Sequence, residues 1–259
     1  MSARHWSWVG ACSTGSSHFK SGTSCQDYAA CVEFNSAENH ALLALVSDGA
    51  GSAEHAALGS HIVVQSFARC VVDHVRGGQL LASISEGLVR DWLDLVRDRL
   101  FRAAEQRGTT PRQLAATLVS AIVCPDRVTI CHVGDGACVL RRVGSQYWEV
   151  PSWPLHGEYA SSTFFVTDDP EPNLQFCQTE GEFAEIAIFS DGLERLALDF
   201  QNKKAFDRFF DPMFAPLANL EAGRNRFLSK SLRKFLDSQQ VIERTDDDKS
   251  LVMARRILQ

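Results

Sequence analysis

Six apolar residues in a row, Ala41 to Val46, run directly into Ser47-Asp48-Gly49-Ala50-Gly51-Ser52. A run this short and this uniformly apolar predicts a strand buried on both faces, so the chain must supply a packed layer on each side of it. The carboxylate at the mouth of such a strand stands on a rigid support. The small residues after it let another group approach closely. A carboxylate together with the Gly49 carbonyl is oxygen-only ligation, which suits a hard divalent cation such as Mg²⁺ or Mn²⁺. One Asp-Gly dipeptide is equally well explained as a hairpin turn. Recurrence is what separates the two readings.

The signature does recur. Ala184 to Phe189 reads as another buried strand and ends in Ser190-Asp191-Gly192, while Val128 to Val133 runs into Gly134-Asp135-Gly136. A fourth acidic position, Asp247, lies in Thr245-Asp246-Asp247-Asp248-Lys249-Ser250, just before a last predicted strand, Leu251 to Leu258. Asp135 between two glycines fits a hairpin turn by itself, and the 246–248 run fits a solvated turn. Taken together, three Asp-Gly dipeptides that each follow an apolar strand can place carboxylates at one end of a sheet stack. Crowded carboxylates need cations to offset their repulsion.

The remaining chain supplies the surrounding layers. Trp6 to Cys12 and Tyr28 to Phe34 read as strands, separated by a Ser/Gly/Thr-rich loop, Ser13 to Ser24, that carries His18 and Lys20 and leads into Cys25-Gln26-Asp27. Apolar residues at Ile62, Val63, Phe67 and Val71 mark a helix over Ala53 to Val75, ended by Gly77-Gly78. Ser83-x-x-Glu86 has the form of a capping box for a second long helix. From Gln113 the period changes to that of strands: 116–124, 128–133, 137–143 and 146–150. Further strands are expected over Phe164 to Thr167 and Leu174 to Gln178, a surface flap over Pro151 to Thr163, and helices over Phe206 to Phe210 and Leu217 to Leu236. Strand blocks around helix pairs give an α+β class, one domain over residues 1–259, with sheet against sheet and helices outside.

Composition narrows the function. The formal net charge of -6 argues against a nucleic-acid backbone or an anionic membrane as the main partner. No apolar run is long enough to span a bilayer and the start lacks a signal-peptide core, so a cytoplasmic location is expected. The eight cysteines include no Cys-x-x-Cys pair and mostly sit in apolar runs, which reads as buried free thiols.

In the order and placing of its motifs the sequence resembles the metal-dependent serine/threonine protein phosphatases of type 2C, most closely their bacterial branch. Cys25-Gln26-Asp27 stands where the family has Asn-Glu-Asp, and Asp48-Gly49-Ala50-Gly51-Ser52 stands for its Asp-Gly-x-Gly-Gly. Thr117-Leu118 and Val133-Gly134-Asp135-Gly136 correspond to Thr-Leu and Val-Gly-Asp-Ser. Ser190-Asp191-Gly192 and Asp247-Asp248-Lys249-Ser250 correspond to Ser-Asp-Gly and the closing Asp-Asn-x-Thr. The resemblance spans nearly the whole chain. It implies a central β-sandwich of two antiparallel sheets flanked by helix pairs, with the site at one end. It also implies two Mg²⁺ or Mn²⁺ ions, with Asp48 bridging them, the Gly49 carbonyl on one and Asp191 and Asp247 on the other. Gln26, Asp27 and Asp135 become outer or weak ligands. The implied substrate is a phosphoprotein, dephosphorylated at serine or threonine, with a cognate kinase opposing the reaction.

The departures from the family pattern are specific. Ala50 replaces a His proposed in some members as general acid, and Gly22 falls where animal enzymes carry a phosphate-binding Arg. His18 and Lys20, in the same loop as Gly22, are the candidate replacements. Gly136-Ala137 and Arg195 argue against a third metal, and Gln26 removes a carboxylate. Two alternatives therefore stay open beside an active phosphatase: a catalytically weak module that binds phosphoproteins, and a different two-metal hydrolase such as a nuclease.

Overall fold

The structure is a computed structural model that describes residues 5–36, 40–155 and 163–257. Its long strands are β1 (Trp6–Ser13), β2 (Tyr28–Asn35), β3 (His40–Ser47), β4 (Leu118–Val123), β5 (Arg127–Val133), β6 (Ala137–Arg142), β7 (Trp148–Ser152), β8 (Leu174–Glu180) and β9 (Phe183–Phe189). Three two-residue strands follow, β10 (Leu198–Asp199), β11 (Lys204–Ala205) and β12 (Gly223–Arg224), before the closing β13 (Lys249–Arg256). One sheet has the order β2-β3-β4-β5-β8 and the other β12-β1-β13-β9-β6-β7. All pairings in both are antiparallel except the short contact of β12 with β1.

The alternation along β3 shows why an unbroken apolar run was required. Leu42, Ala44 and Val46 pack between the two sheets with Val119, Ile130, Leu140, Ile188 and Val252. Leu43 and Leu45 face the other way, onto a layer built by α2 (Ala56–Arg76) and α3 (Glu86–Glu105) through Val63, Phe67, Val71 and Trp92. With both faces covered there is no polar side to alternate with. The second sheet is covered likewise. Phe189, Leu251 and Met253 of its outer face meet Phe210 and Phe214 of α5 (Asp207–Phe214) and Leu232 and Leu236 of α6 (Arg226–Leu236). The result is the expected sandwich with helices on both outer faces.

Several sequence expectations are corrected. Phe164–Thr167 forms no strand; instead Phe165 N–H donates to Asp168 Oδ2 at 2.8 Å, so the segment turns back on itself. The helix expected over Leu217–Leu236 begins only at Arg226, where the Asn225 side chain accepts from Leu228 N–H at 2.8 Å. The Ser13–Ser24 loop contains a short helix, α1 (Ser16–Ser21). The predicted 151–163 flap begins inside β7, and its residues 156–162 lie outside the described residues.

The capping box is also displaced. Ser83 ends a 3₁₀ turn and donates to Leu80 O at 2.7 Å, whereas Ser85 caps α3 by accepting from Leu88 N–H at 3.3 Å. Ser85 has Leu88 rather than Glu or Gln three residues on, so it acts as a simple N-cap serine that the capping-box pattern does not mark. Replacing Ser85 with Ala should therefore cost about 1 kcal/mol, a typical loss for a helix cap. Ser83→Ala should cost clearly less, and urea unfolding of the two variants checks the order.

Candidate active site

Three strand ends meet at one edge of the sandwich. Asp48 follows β3, Asp135 lies in the turn between β5 and β6, and Asp191 opens the 3₁₀ turn after β9. One carboxylate oxygen from each lies within 4.8 Å of the others. Backbone pairing fixes the positions. Asp48 N–H donates to Thr117 Oγ1 at 3.0 Å, Thr117 N–H donates to Asp48 O at 2.8 Å, and Ser47 Oγ donates to Thr117 O at 2.5 Å. Thr117, one of the motif residues, thus sews the Asp48 loop to the start of β4.

Two glycines are required by contact. A Cβ on Gly49 would lie 2.5 Å from Ala56 O, and one on Gly192 would lie 2.0 Å from Asp248 O. The Asp-Gly pattern therefore reflects close backbone approach behind each carboxylate.

A fourth carboxylate completes the group. Asp27, buried just before β2, accepts from Ser190 Oγ at 2.7 Å, and the same hydroxyl accepts from Ser250 N–H at 2.9 Å. Burial pushes the Asp27 carboxyl up to about 6, with the charge of Asp248 adding to the rise. Burial also raises Asp48 well above the ordinary carboxylate range, helped by the charges of Asp27, Asp191 and Asp135. Asp191 is raised by burial and then by Asp135 and Asp247. At an effective dielectric constant of 20, two ionised carboxylates 4.8 Å apart repel by roughly 3.5 kcal/mol.

Asp27 Oδ1 and Asp191 Oδ1 are buried and find no donor among the described residues. Oxygen-only donors, mutual repulsion and unpartnered buried lone pairs all fit hard divalent cations.

Asp247 stands half-buried on the wall of the cleft rather than within the tight trio, close enough for its charge to act on Asp191. Gln26 is buried behind the site. Its N–H donates to Asp248 Oδ2 at 2.5 Å, its carbonyl accepts from Ser60 Oγ at 2.5 Å, and its Oε1 has no partner. His18 reaches the cleft, with Nδ1 3.0 Å from Asp248 Oδ2. Lys20 is exposed at the end of α1 and does not line it.

Sequence reasoning missed two buried carboxylates and three cations. Asp248 accepts from Gly15 N–H at 2.6 Å as well as from Gln26, so it ties the loop before α1 and the Asp27 segment to the foot of β13. Glu194 accepts from Gly136 N–H at 2.9 Å, which braces the turn carrying Asp135; burial pushes its carboxyl up to about 8. The signal for Glu194 was its place three residues after Asp191, one turn on. Arg112, Arg195 and Arg244 line the cleft, whose volume is about 1360 Å³. They come from three separate turns and carry no shared motif.

Neither Cys12, beside the site, nor Cys131, on the strand that leads to Asp135, offers a competing nucleophile. Burial raises Cys12 to about 11 and Cys131 to about 12, so both are protonated at neutral pH.

The structure is an α+β sandwich with a carboxylate-floored cleft lined by arginines at one end, and comparison with known proteins gives its class. Residues 14–237 match the family described as protein phosphatase 2C, and the chain belongs to that family and to the serine/threonine-protein phosphatase enzymes within it. It is 33% identical to serine/threonine-protein phosphatase 3 of Escherichia coli (strain K12) over 253 residues, covering 96% of this chain and 98% of that one. Among solved structures its fold is similar to serine/threonine phosphatase Stp1 from Staphylococcus aureus (TM-score 0.64, 14% identity, 97% and 95% coverage). It is also similar to the catalytic domain of the serine/threonine protein phosphatase PstP in complex with two manganese ions (TM-score 0.60, 16% identity, 99% and 100% coverage).

Because ionised carboxylates repel one another, the metal-stripped protein should gain stability from Asp48→Asn at a pH where the trio is ionised, by at most the roughly 3.5 kcal/mol of one relieved like-charge contact. Thermal unfolding in EDTA checks this. In saturating Mn²⁺ the order should reverse, because only the wild type keeps the full ligand set.

Proposed function

We propose that this protein hydrolyses phosphoserine and phosphothreonine in protein substrates at a dinuclear Mg²⁺ or Mn²⁺ site. The observation that carries the reading is the trio of Asp48, Asp135 and Asp191 at the floor of the cleft, within 4.8 Å of one another. Asp48, Asp191 and the Gly49 carbonyl would hold the cations, with Asp247 from the wall and Asp135 from the adjoining turn. Asp27 supports the group from below through Ser190. Bound there, divalent cations supply an acidified water and neutralise charge on the phosphoryl oxygens.

The protein's own residues supply positioning and charge. Thr117 holds the Asp48 loop in register, and Glu194 holds the Asp135 turn. Arg112, Arg195, Arg244 and His18 on the cleft wall offer the donors that a phosphoryl group needs, since planar guanidinium groups match its oxygens. They take the part expected of His18 and Lys20 alone. Ala50 supplies no proton to the leaving serine or threonine oxygen, so His18 or solvent does so. An acidic net charge, with three arginines gathered on one cleft, suits a phosphorylated side chain rather than a nucleic-acid backbone.

Release of phosphate from a phosphothreonine peptide in Mn²⁺ tests the reading. The wild type should turn over, EDTA should abolish turnover, and native thiol alkylation should leave it unchanged. Asp48→Asn and Asp191→Asn should each lower kcat at least a hundredfold. Specific binding of the phosphopeptide without turnover would favour the binding-module alternative instead.

The same site yields a second expectation, at Gln26. A neutral amide leaves the metal site one charge short, and divalent affinity rises with ligand charge. Gln26→Glu should lower the half-saturating Mn²⁺ concentration several-fold, read from metal titrations of activity and from calorimetry. An unchanged midpoint would remove Gln26 from the metal environment.

A further inference from the structure

A second cluster of metal-ligating side chains lies at the other end of the sandwich. His5 precedes β1, Glu33 lies on β2, and His40 opens β3. One donor atom from each lies within 4.8 Å of the others, and all three residues are half-buried. His5 Nδ1 is 3.2 Å from Glu33 Oε1, the two imidazole rings stand 4.4 Å apart between centroids, and Glu33 Oε1 also accepts from Trp6 N–H at 3.3 Å. His40 and Ser47 bound the same strand, so this cluster is about 25 Å from Asp48 at the rise of an extended chain. It belongs to no part of the phosphatase site.

We infer that His5, Glu33 and His40 form a second metal site, for a borderline divalent ion of the zinc type. The donor chemistry decides the class. Two imidazoles and one carboxylate form a three-ligand set that zinc accepts with a fourth position open. Imidazole donors suit Zn²⁺, Co²⁺ or Ni²⁺, whereas Mg²⁺ and Mn²⁺ favour the all-oxygen set at the Asp trio. The two ends of the sandwich thus select different ions. The placement gives this site a structural role: His5 enters the six-stranded sheet, Glu33 and His40 belong to the five-stranded one, and an ion shared among them clamps the two sheets at the end far from the cleft.

Calorimetric titration of Zn²⁺ into the full chain preloaded with Mn²⁺ tests the inference. The wild type should bind one more Zn²⁺ than the double variant His5→Gln/His40→Asn, and Glu33→Gln should weaken that binding at least tenfold. Mn²⁺-dependent turnover of the variants should stay within twofold of wild type. Equal zinc stoichiometry and affinity in wild type and double variant would overturn the site, and a tenfold loss of turnover would overturn its separateness. Imidazole NMR of the wild type gives a readout independent of any variant's folding. The first equivalent of Zn²⁺ should shift the His5 and His40 ring signals together, and the inference fails if it moves only the other histidines.

Discussion

Mutual repulsion among buried carboxylates is the constraint on which the rest of this structure depends. Asp27, Asp48, Asp135 and Asp191 come from four separate segments, and burial drives Asp27, Asp48 and Asp191 toward their protonated forms. A fold that brings such groups together must hold them from behind with structure that does not relax. Here that support is backbone. Thr117 bonds both sides of Asp48, Ser190 and Ser250 fix Asp27, and glycines at 49 and 192 let neighbouring main chain close to van der Waals limits. The buried apolar layers supply the free energy that offsets this electrostatic cost, and the strands that lead to Asp48, Asp135 and Asp191 are buried along nearly their whole length.

Asp248 shows how one further charge organises the rim. Its side chain is almost wholly buried, yet it accepts backbone N–H groups from Gly15 and Gln26 and lies beside His18. Gly15 and Gln26, both more than 200 residues earlier in the chain, meet on one carboxylate. Both of these donors are backbone N–H groups. They hold the loop before α1 over the cleft wall, where His18 stands. The neighbouring Asp247 is thereby left facing the cleft. One residue of an acidic run is structural and the next is a candidate ligand, a division that charge patterning by itself does not reveal.

What was legible in the sequence follows from this physics. The Asp-Gly signature at 48, 135 and 191 could be read because strand burial and glycine contact are both written locally, as apolar runs and as missing Cβ atoms. Sheet against sheet was legible from strand blocks around helix pairs, and the resemblance to the type 2C phosphatases implied the two-sheet sandwich. Features that depend on tertiary approach were not legible. Arg112, Arg195 and Arg244 converge from a 3₁₀ turn, a one-turn helix, α4 (Glu194–Ala197), and the segment after α7 (Gln239–Ile242), with nothing in their spacing to announce it. The error at Ser83 has the same origin. Ser83 has the capping-box spacing and Ser85 does not, yet Leu81 and Ile84 on either side of Ser83 are packed into the core and the helix opens only after Ser85.

Strand β3 links these observations. Being packed on both faces, it is among the least deformable elements of the molecule, since interiors of native density transmit displacement rather than absorb it. Asp48 at its end therefore inherits positional precision from the whole sandwich, and substitutions at Leu43 or Leu45, which never touch the cleft, bear on catalysis through that strand. The same rigidity applies at the opposite end. His40 opens the strand that Asp48 follows, and the register of β3 is held along its length by its pairing with β2 and β4. A sheet with both faces buried already specifies that register strongly. The polar cluster is therefore not needed to choose the fold. What it constrains is the separation of the two sheets at the far end, a quantity left free by in-plane hydrogen bonding.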